Sequence, residues 1–105
     1  MNTCALVGIV ERAPTVIDSE GPLQARFTLR VEEIGKDGKA YPLYIPCECY
    51  GQLATRSATW DAGAMLALSG RLKWRKGDEK TQKPGGLAVF VKEVHVLEPA
   101  SVAAE

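Results

Sequence analysis

The sequence has little of what enzymes and metalloproteins use. Its 105 residues include one histidine, His95, and three cysteines, Cys4, Cys47 and Cys49. An odd cysteine count argues against a disulfide framework, and a closed zinc site needs four ligands, with only Cys4 and His95 left beside the Cys47/Cys49 pair. No serine or cysteine has a plausible base nearby, and the chain has no glycine-rich phosphate loop or carboxylate cluster. We therefore expect a protein that is not an enzyme and carries no metal or cofactor.

The sequence also lacks long apolar runs and net charge. No apolar run approaches the roughly 18 residues of a membrane span, and the N-terminus has no basic stretch followed by an apolar signal core. Thirteen basic residues balance thirteen acidic ones, so the whole chain exerts no long-range attraction on nucleic acid. Residues 71–83, however, hold six basic residues against Asp78 and Glu79. We expect a cytoplasmic protein without membrane contacts that has one local basic segment.

What the sequence does contain is a regular alternation of apolar and polar residues. In residues 24–33, Phe27 and Leu29 share one face, as in a half-buried strand. Pro42 and Pro46 cannot donate to a strand ladder, so residues 41–50 are predicted to lie at a sheet edge or to bend. The two faces of this segment differ in character, one being apolar and the other aromatic and polar: Leu43, Ile45, Cys47 and Cys49 against Tyr44, Pro46, Glu48 and Tyr50.

The order of these segments predicts a fold. One short helix, over residues 52–60, falls between the third and fourth strands, and Gly8 and Gly70 inside strands indicate bulges or close backbone approaches. We expect an all-β OB-fold, a five-stranded Greek-key barrel, as a single domain over residues 1–99 with a short flexible tail at 100–105. The five strands are predicted at residues 4–12, 24–33, 41–50, 64–76 and 87–97.

Several motifs in this order resemble those of bacterial single-stranded DNA-binding proteins. The resemblance spans residues 1–97 and implies an OB domain that binds single strands. Its motifs are the opening Met1-Asn2 with Ala5-Leu6-Val7-Gly8 and Pro14, the run Tyr44-Ile45-Pro46-Cys47-Glu48-Cys49-Tyr50-Gly51-Gln52-Leu53-Ala54, and then Gly63 and Gly70-Arg71-Leu72.

The sequence also departs from that family's pattern. It stops at Glu105 without the long linker and acidic tip that recruit replication and repair proteins in the family. In this respect it is similar to the primosomal protein B type and to the short single-domain forms of cyanobacteria and plastids. Glu48 stands on the face that the resemblance assigns to DNA, where the family usually has an apolar residue.

Candidate binding residues follow from the alternation and the basic segment. Stacking aromatics and phosphate-binding cations are what sequence-independent single-strand binding requires. The alternative role for Tyr44 and Tyr50 is half-buried packing in the sheet. The alternative for Arg26 and Arg30 is that they only form a solvated face of their strand. Trp74 has the parity of Leu66, Leu68 and Leu72, so core packing is an equal alternative for it, whereas Phe27 and Trp60 are predicted to pack inside. The candidates are Arg26, Arg30, Tyr44, Tyr50, Lys73, Trp74, Arg75, Lys76, Lys80 and Lys83.

These features predict a single-stranded DNA-binding protein that acts in replication, repair or recombination. Residues 4–10 are apolar on both faces, more than one barrel interior needs, so we expect a homodimer or homotetramer that pairs through the first strand. Replication proteins are candidate partners, without an acidic tail to recruit them. Residues 75–86 are predicted to form a mobile basic hairpin over the DNA. The alternative is an OB-fold adaptor for a protein partner, its DNA face weakened by Glu48.

Overall fold

The computed structural model describes residues 1–18, 21–77 and 85–100. Lys80, Lys83, most of the predicted mobile hairpin tip and residues 101–105 of the predicted tail lie outside these ranges. None of the helices in the described ranges is long and apolar enough to cross a membrane. In chain order the elements are β1 (Cys4–Val10), β2 (Thr15–Ile17), β3 (Gln24–Ile34), β4 (Ala40–Tyr50), α1 (Gln52–Ser57), β5 (Met65–Arg75) and β6 (Gly86–Glu98).

The strands close into a barrel because β1 pairs with two partners. It runs antiparallel to β5 from Cys4 to Ile9 and antiparallel to β3 at Ile9 and Val10. The order β1-β5-β6-β4-β3 therefore returns to β1 as a closed five-stranded barrel, with a short parallel contact between β4 and β6. The predicted OB-fold is confirmed, and α1 lies between the third and fourth barrel strands. The sequence did not predict β2, a three-residue strand that adds to the outer edge of β3.

The barrel interior is filled by one side of each strand, as period-two alternation requires. Phe27 and Leu29 of β3 are buried, and the ring of Phe27 meets Trp60 edge to face with 5.6 Å between centroids. Trp60 follows α1, which buries Ala54 and Ser57 against the barrel. The predicted packing of Phe27 and Trp60 is confirmed. Ala100, at the start of the predicted tail, is partly buried against this core.

Two glycines allow the backbones of neighbouring strands to approach closely. A Cβ atom on Gly8 would lie 2.6 Å from the carbonyl oxygen of Arg30, and one on Gly70 would overlap the carbonyl of Phe90. The β5–β6 register also shifts between Ser69 and Gly70. The predicted bulge and close approach are confirmed at Gly70, and the close approach is confirmed at Gly8.

Two hairpins extend beyond the barrel, and there the outermost residues of the predicted apolar faces are exposed. Within the described residues, positions 40–46 of β4 pair with β3 alone, which agrees with the predicted edge and leaves Leu43 exposed. Beyond Gly70, Leu72 and Trp74 of β5 likewise extend past the barrel, whereas Val89 of β6, the register partner of Leu72, still packs in the core. Leu72 is therefore exposed and Trp74 is 70% exposed, so the core-packing alternative for Trp74 is wrong.

Candidate nucleic-acid interface

The sides of β3, β4, β5 and β6 that point away from the core form one continuous surface, which we call the outer face. Cross-strand partners share a face of a sheet, so the pairs Arg26–Glu48, Arg30–Tyr44 and Arg71–Phe90 fix its composition. The outer face holds Gln24, Arg26, Thr28, Arg30, Tyr44, Pro46, Glu48, Tyr50, Arg71, Lys73, Arg75 and Phe90.

At its centre lies a buried carboxylate. Glu48 is 2% exposed, and Arg75 Nε donates to its Oε2 at 2.9 Å, while Arg75 Nη2 forms an ion pair with the same oxygen at 2.8 Å. The other oxygen, Oε1, accepts three hydrogen bonds: from Lys73 Nζ at 3.1 Å, from the Tyr50 hydroxyl at 3.1 Å and from Gln24 Nε2 at 3.4 Å. A charge this buried is tolerated only when it is paired and hydrogen-bonded. Glu48, which departs from the family's usual apolar residue, is thus neutralised by Lys73 and Arg75.

The contacts of Glu48 also determine its ionisation. Burial by itself raises the pKa of this carboxyl, while hydrogen bonds from Arg75, Lys73 and Tyr50 lower it. The hydrogen bonds and the nearby Lys73 charge win, and the pKa of Glu48 lies below its ordinary value. Glu48 is therefore an anion at neutral pH, and together with Lys73 and Arg75 it leaves a net charge of about +1.

Beside this cluster stands an aromatic stack. The rings of Tyr50 and Phe90 are 5.3 Å apart at 24°. Three cations surround the stack: Lys92 Nζ lies 4.6 Å and Arg71 Cζ 5.2 Å from the Phe90 centroid, and Lys73 Nζ lies 5.9 Å from each ring. Sequence reasoning missed Phe90. The signal was available, since alternation around Val89 and Val91 places Phe90 on the opposite face.

The second exposed aromatic lies at the far end of β4. Tyr44 is 55% exposed and pairs across the sheet with Arg30, whose Nη1 donates to Glu11 Oε2 at 3.3 Å. A groove of about 390 Å³ between Glu11, Arg12, Thr28 and Tyr44 opens beside it.

A smaller pocket lies between these two ends. Its volume is about 200 Å³, and three arginines from different elements line it: Arg12, Arg26 and Arg75. The buried Nε atoms of Arg26 and Arg30 have no hydrogen-bond partner among the described residues. Arg12 was not predicted, because it lies in the turn between β1 and β2, where no periodicity marks it.

The predicted residues are therefore only partly brought together. Arg26, Lys73, Arg75 and Tyr50 gather around Glu48, and Arg30 and Tyr44 lie further along the same face. Trp74 alternates with Lys73 and Arg75 and lies on the opposite side of the β5–β6 hairpin, paired with exposed Leu87. Lys76 is exposed directly after β5.

The cysteines lie on the other side of β4, inside the barrel. Burial raises the pKa of Cys47 to about 12 and that of Cys49 to about 11, so both thiols are protonated at neutral pH. Within the described ranges, no group of three or more histidine, cysteine, aspartate or glutamate side chains could hold a metal ion.

A closed five-stranded barrel whose outer face carries cations around an aromatic stack defines an OB-fold protein with a surface suited to nucleic acid. Comparison with known families agrees. The sequence model of the Single-strand binding protein family matches residues 1–97, and the chain belongs to this family. Single-stranded DNA is thereby the class of ligand. A search of the curated proteins finds no match.

Proposed function

We propose that the protein binds single-stranded DNA across its outer face during replication, repair or recombination, with little preference for base sequence. The observation that carries the proposal is the Tyr50–Phe90 stack with Arg71, Lys73 and Lys92 within 6 Å of its rings. Aromatic faces accept any base, and cations beside them accept the phosphates. Both requirements are met within one small area.

The bound strand runs along β4 in this proposal. Tyr44 and the Tyr50–Phe90 stack are separated by six residues of strand, a distance of about 20 Å. Arg26, Arg30 and Arg75 lie between or beside these aromatics and supply phosphate contacts along that path. The strand thus meets a base-stacking surface at each end and cations in the middle.

We further propose that two copies associate through β1. Among the described residues, the β1 edge opposite β5 has a partner only at Ile9 and Val10, which leaves the backbone of residues 4–8 open along that edge. Val7 is 54% exposed on the side of β1 that faces away from the core, and Ala5 is exposed beside it. An open, apolar edge strand is a natural pairing surface for a second copy. Such pairing covers the edge and doubles the DNA-binding surface.

Titration with labelled oligo(dT) at several salt concentrations tests the function. We expect binding at low salt. The logarithm of the binding constant should fall linearly with the logarithm of the salt concentration, with a slope of about 0.7 for each phosphate contact on a single strand. Oligo(dA) of the same length should bind with similar affinity. If no oligo(dT) binding is detected at low salt, the proposal is wrong and the outer face serves a protein partner.

A further inference from the structure

The pocket between Arg12, Arg26 and Arg75, called here the arginine pocket, brings three guanidinium groups together, and none of the described residues that line it is acidic. Its remaining walls include Thr28 and Pro46. In the described part of the chain, no carboxylate forms an ion pair with Arg12 or Arg26, whereas Arg30 and Arg75 each have one. The guanidinium groups of Arg12 and Arg26 are therefore available to bind an anion.

The reason that Arg26 has no partner lies directly across the sheet. Its register partner is Glu48, whose two oxygens already accept hydrogen bonds from Gln24, Tyr50, Lys73 and Arg75. A carboxylate offers about four lone-pair sites, so these donors use its capacity. The buried Nε of Arg26 is left without an acceptor, which native proteins rarely allow.

Glu48 also holds the third arginine in place. It binds Nε and Nη2 of Arg75, which fixes the plane of the guanidinium and leaves Nη1 for another acceptor. Thr28 adds a hydroxyl donor to the same pocket. Planar guanidinium forks and hydroxyl donors around a small volume suit a phosphate, whose oxygens accept paired hydrogen bonds.

We propose that the arginine pocket is a discrete binding site for one phosphate group of the single strand. The proposal rests on the DNA-binding function proposed above and adds a fixed point to it. Arg12 and Thr28 line both this pocket and the groove beside Tyr44, so a phosphate held here positions the neighbouring base over the Tyr44 ring. The shared chemistry is a phosphate, either internal to the strand or at its 5′ end.

The first experiment tests the pocket without DNA. Inorganic phosphate, added in place of chloride at constant ionic strength, should raise the Tm of the parent protein. The increase should be lost in Arg26→Gln and reduced in Arg12→Gln. Arg56→Gln is the matched control, because it removes the same charge from an exposed position on α1 and should respond to phosphate as the parent does.

The second experiment uses oligo(dT) and measures the salt dependence of binding. We expect Arg26→Gln to weaken binding at low salt by on the order of tenfold and to flatten the slope by about 0.7. Arg26→Lys keeps the charge but lacks the planar fork, so it should recover the slope better than the affinity. Oligonucleotides with and without a 5′-phosphate separate the two sources, since only a terminal site prefers the phosphorylated strand.

The outcomes separate the two proposals. If oligo(dT) binds and Arg26→Gln matches Arg56→Gln in both affinity and slope, the arginine pocket is not a phosphate site. If oligo(dT) fails to bind while phosphate still raises the Tm through Arg26, the pocket stands as an anion site and the DNA-binding function is wrong. A phosphate effect that is equal in the parent and in Arg26→Gln overturns the pocket.

Discussion

At the scale of single residues, Glu48 organises the outer face. Its carboxylate reduces the positive charge of Lys73 and Arg75, and it fixes both side chains in place, with Lys73 Nζ 5.9 Å from the centre of the Tyr50 ring. A mobile lysine or arginine loses rotamer entropy when it binds a phosphate, and a side chain that is already held has less to lose. The protein thus gives up part of its charge for cations in defined positions.

Glu48→Gln should destabilise the protein by on the order of 1–3 kcal/mol at pH 7, because the charged hydrogen bonds from Lys73 and Arg75 are lost. The pKa of Glu48 is lowered in the folded state, so its stabilisation is present above the ordinary value of 4.5 and is lost as pH falls through the folded pKa. The difference in unfolding free energy between parent and variant, measured by urea unfolding, should therefore become smaller below pH 4.5.

Glu93→Gln is the control for that comparison, since Glu93 is exposed on β6. It should change stability little at any pH. A parent-to-Glu48→Gln gap that is the same at acidic and neutral pH would mean that the ion pairs do not stabilise the fold.

Tyr44→Ala should weaken oligo(dT) binding by about 1–3 kcal/mol, the usual loss for one stacked base, without unfolding the domain. Tyr41→Ala is the matched control: the same residue type on the same hairpin, but on the opposite side of β4, with its hydroxyl bonded to Asp37 at 2.6 Å. Fluorescence titration of both variants provides the measurement. Equal losses in the two variants would remove Tyr44 from the DNA path.

At the scale of elements, alternation predicted the barrel strands well wherever both faces of a strand had different surroundings. Ala25, Phe27 and Leu29 are all buried, as their alternation in the sequence predicts. The same pattern in β5 failed after Gly70, because alternation tells which residues share a face and not where the barrel ends. Trp74 keeps the parity of Leu66 and yet lies in solvent.

The candidate binding surface was less predictable than the fold. Arg26 and Tyr44 could be placed on one face from sequence, but the pairing of Glu48 with Lys73 and Arg75 joins residues 25 and 27 positions apart. Such contacts depend on strand register between distant segments, which no local pattern gives. Arg12 and β2 were missed for a related reason: a turn and a three-residue strand carry too few residues for periodicity.

Gly70→Ala tests the close approach of the β5 and β6 backbones at Gly70. The added methyl group meets the carbonyl of Phe90, so β5 and β6 must separate, at a cost of about 1–3 kcal/mol. Ser69→Ala, at the adjacent residue, removes a hydroxyl without adding bulk and should stay close to the parent. Urea unfolding of both variants decides the matter, and an unchanged midpoint for Gly70→Ala would show that this close approach can relax.

At the scale of the whole molecule, charge is balanced in number but separated in space. The chain has no net charge, yet the outer face gathers Arg26, Arg71 and Arg75. In the proposed binding mode, attraction to DNA is therefore short-ranged and depends on contact with this face. Any second copy that adds its own outer face adds affinity without raising the charge of the assembly.

Val7→Glu should convert the proposed dimer or tetramer to a monomer, because it places a charge on the exposed apolar side of β1. Val16→Glu is the control, since Val16 is also exposed but belongs to β2. Light scattering coupled to gel filtration at micromolar concentration measures the mass. A parent mass of 11.3 kDa would contradict association, and an unchanged oligomer in Val7→Glu would place the interface elsewhere.

The two tryptophans give the molecule two separate optical signals. Trp60 emits from the apolar interior beside Phe27, whereas Trp74 emits from water and therefore at longer wavelength. An aqueous quencher such as iodide removes the second signal first. A strand that stays on the outer face leaves that signal unchanged, and a strand that wraps around the edge of the β5–β6 hairpin quenches it. The intrinsic tryptophan fluorescence of unlabelled protein can thus report the path of the nucleic acid.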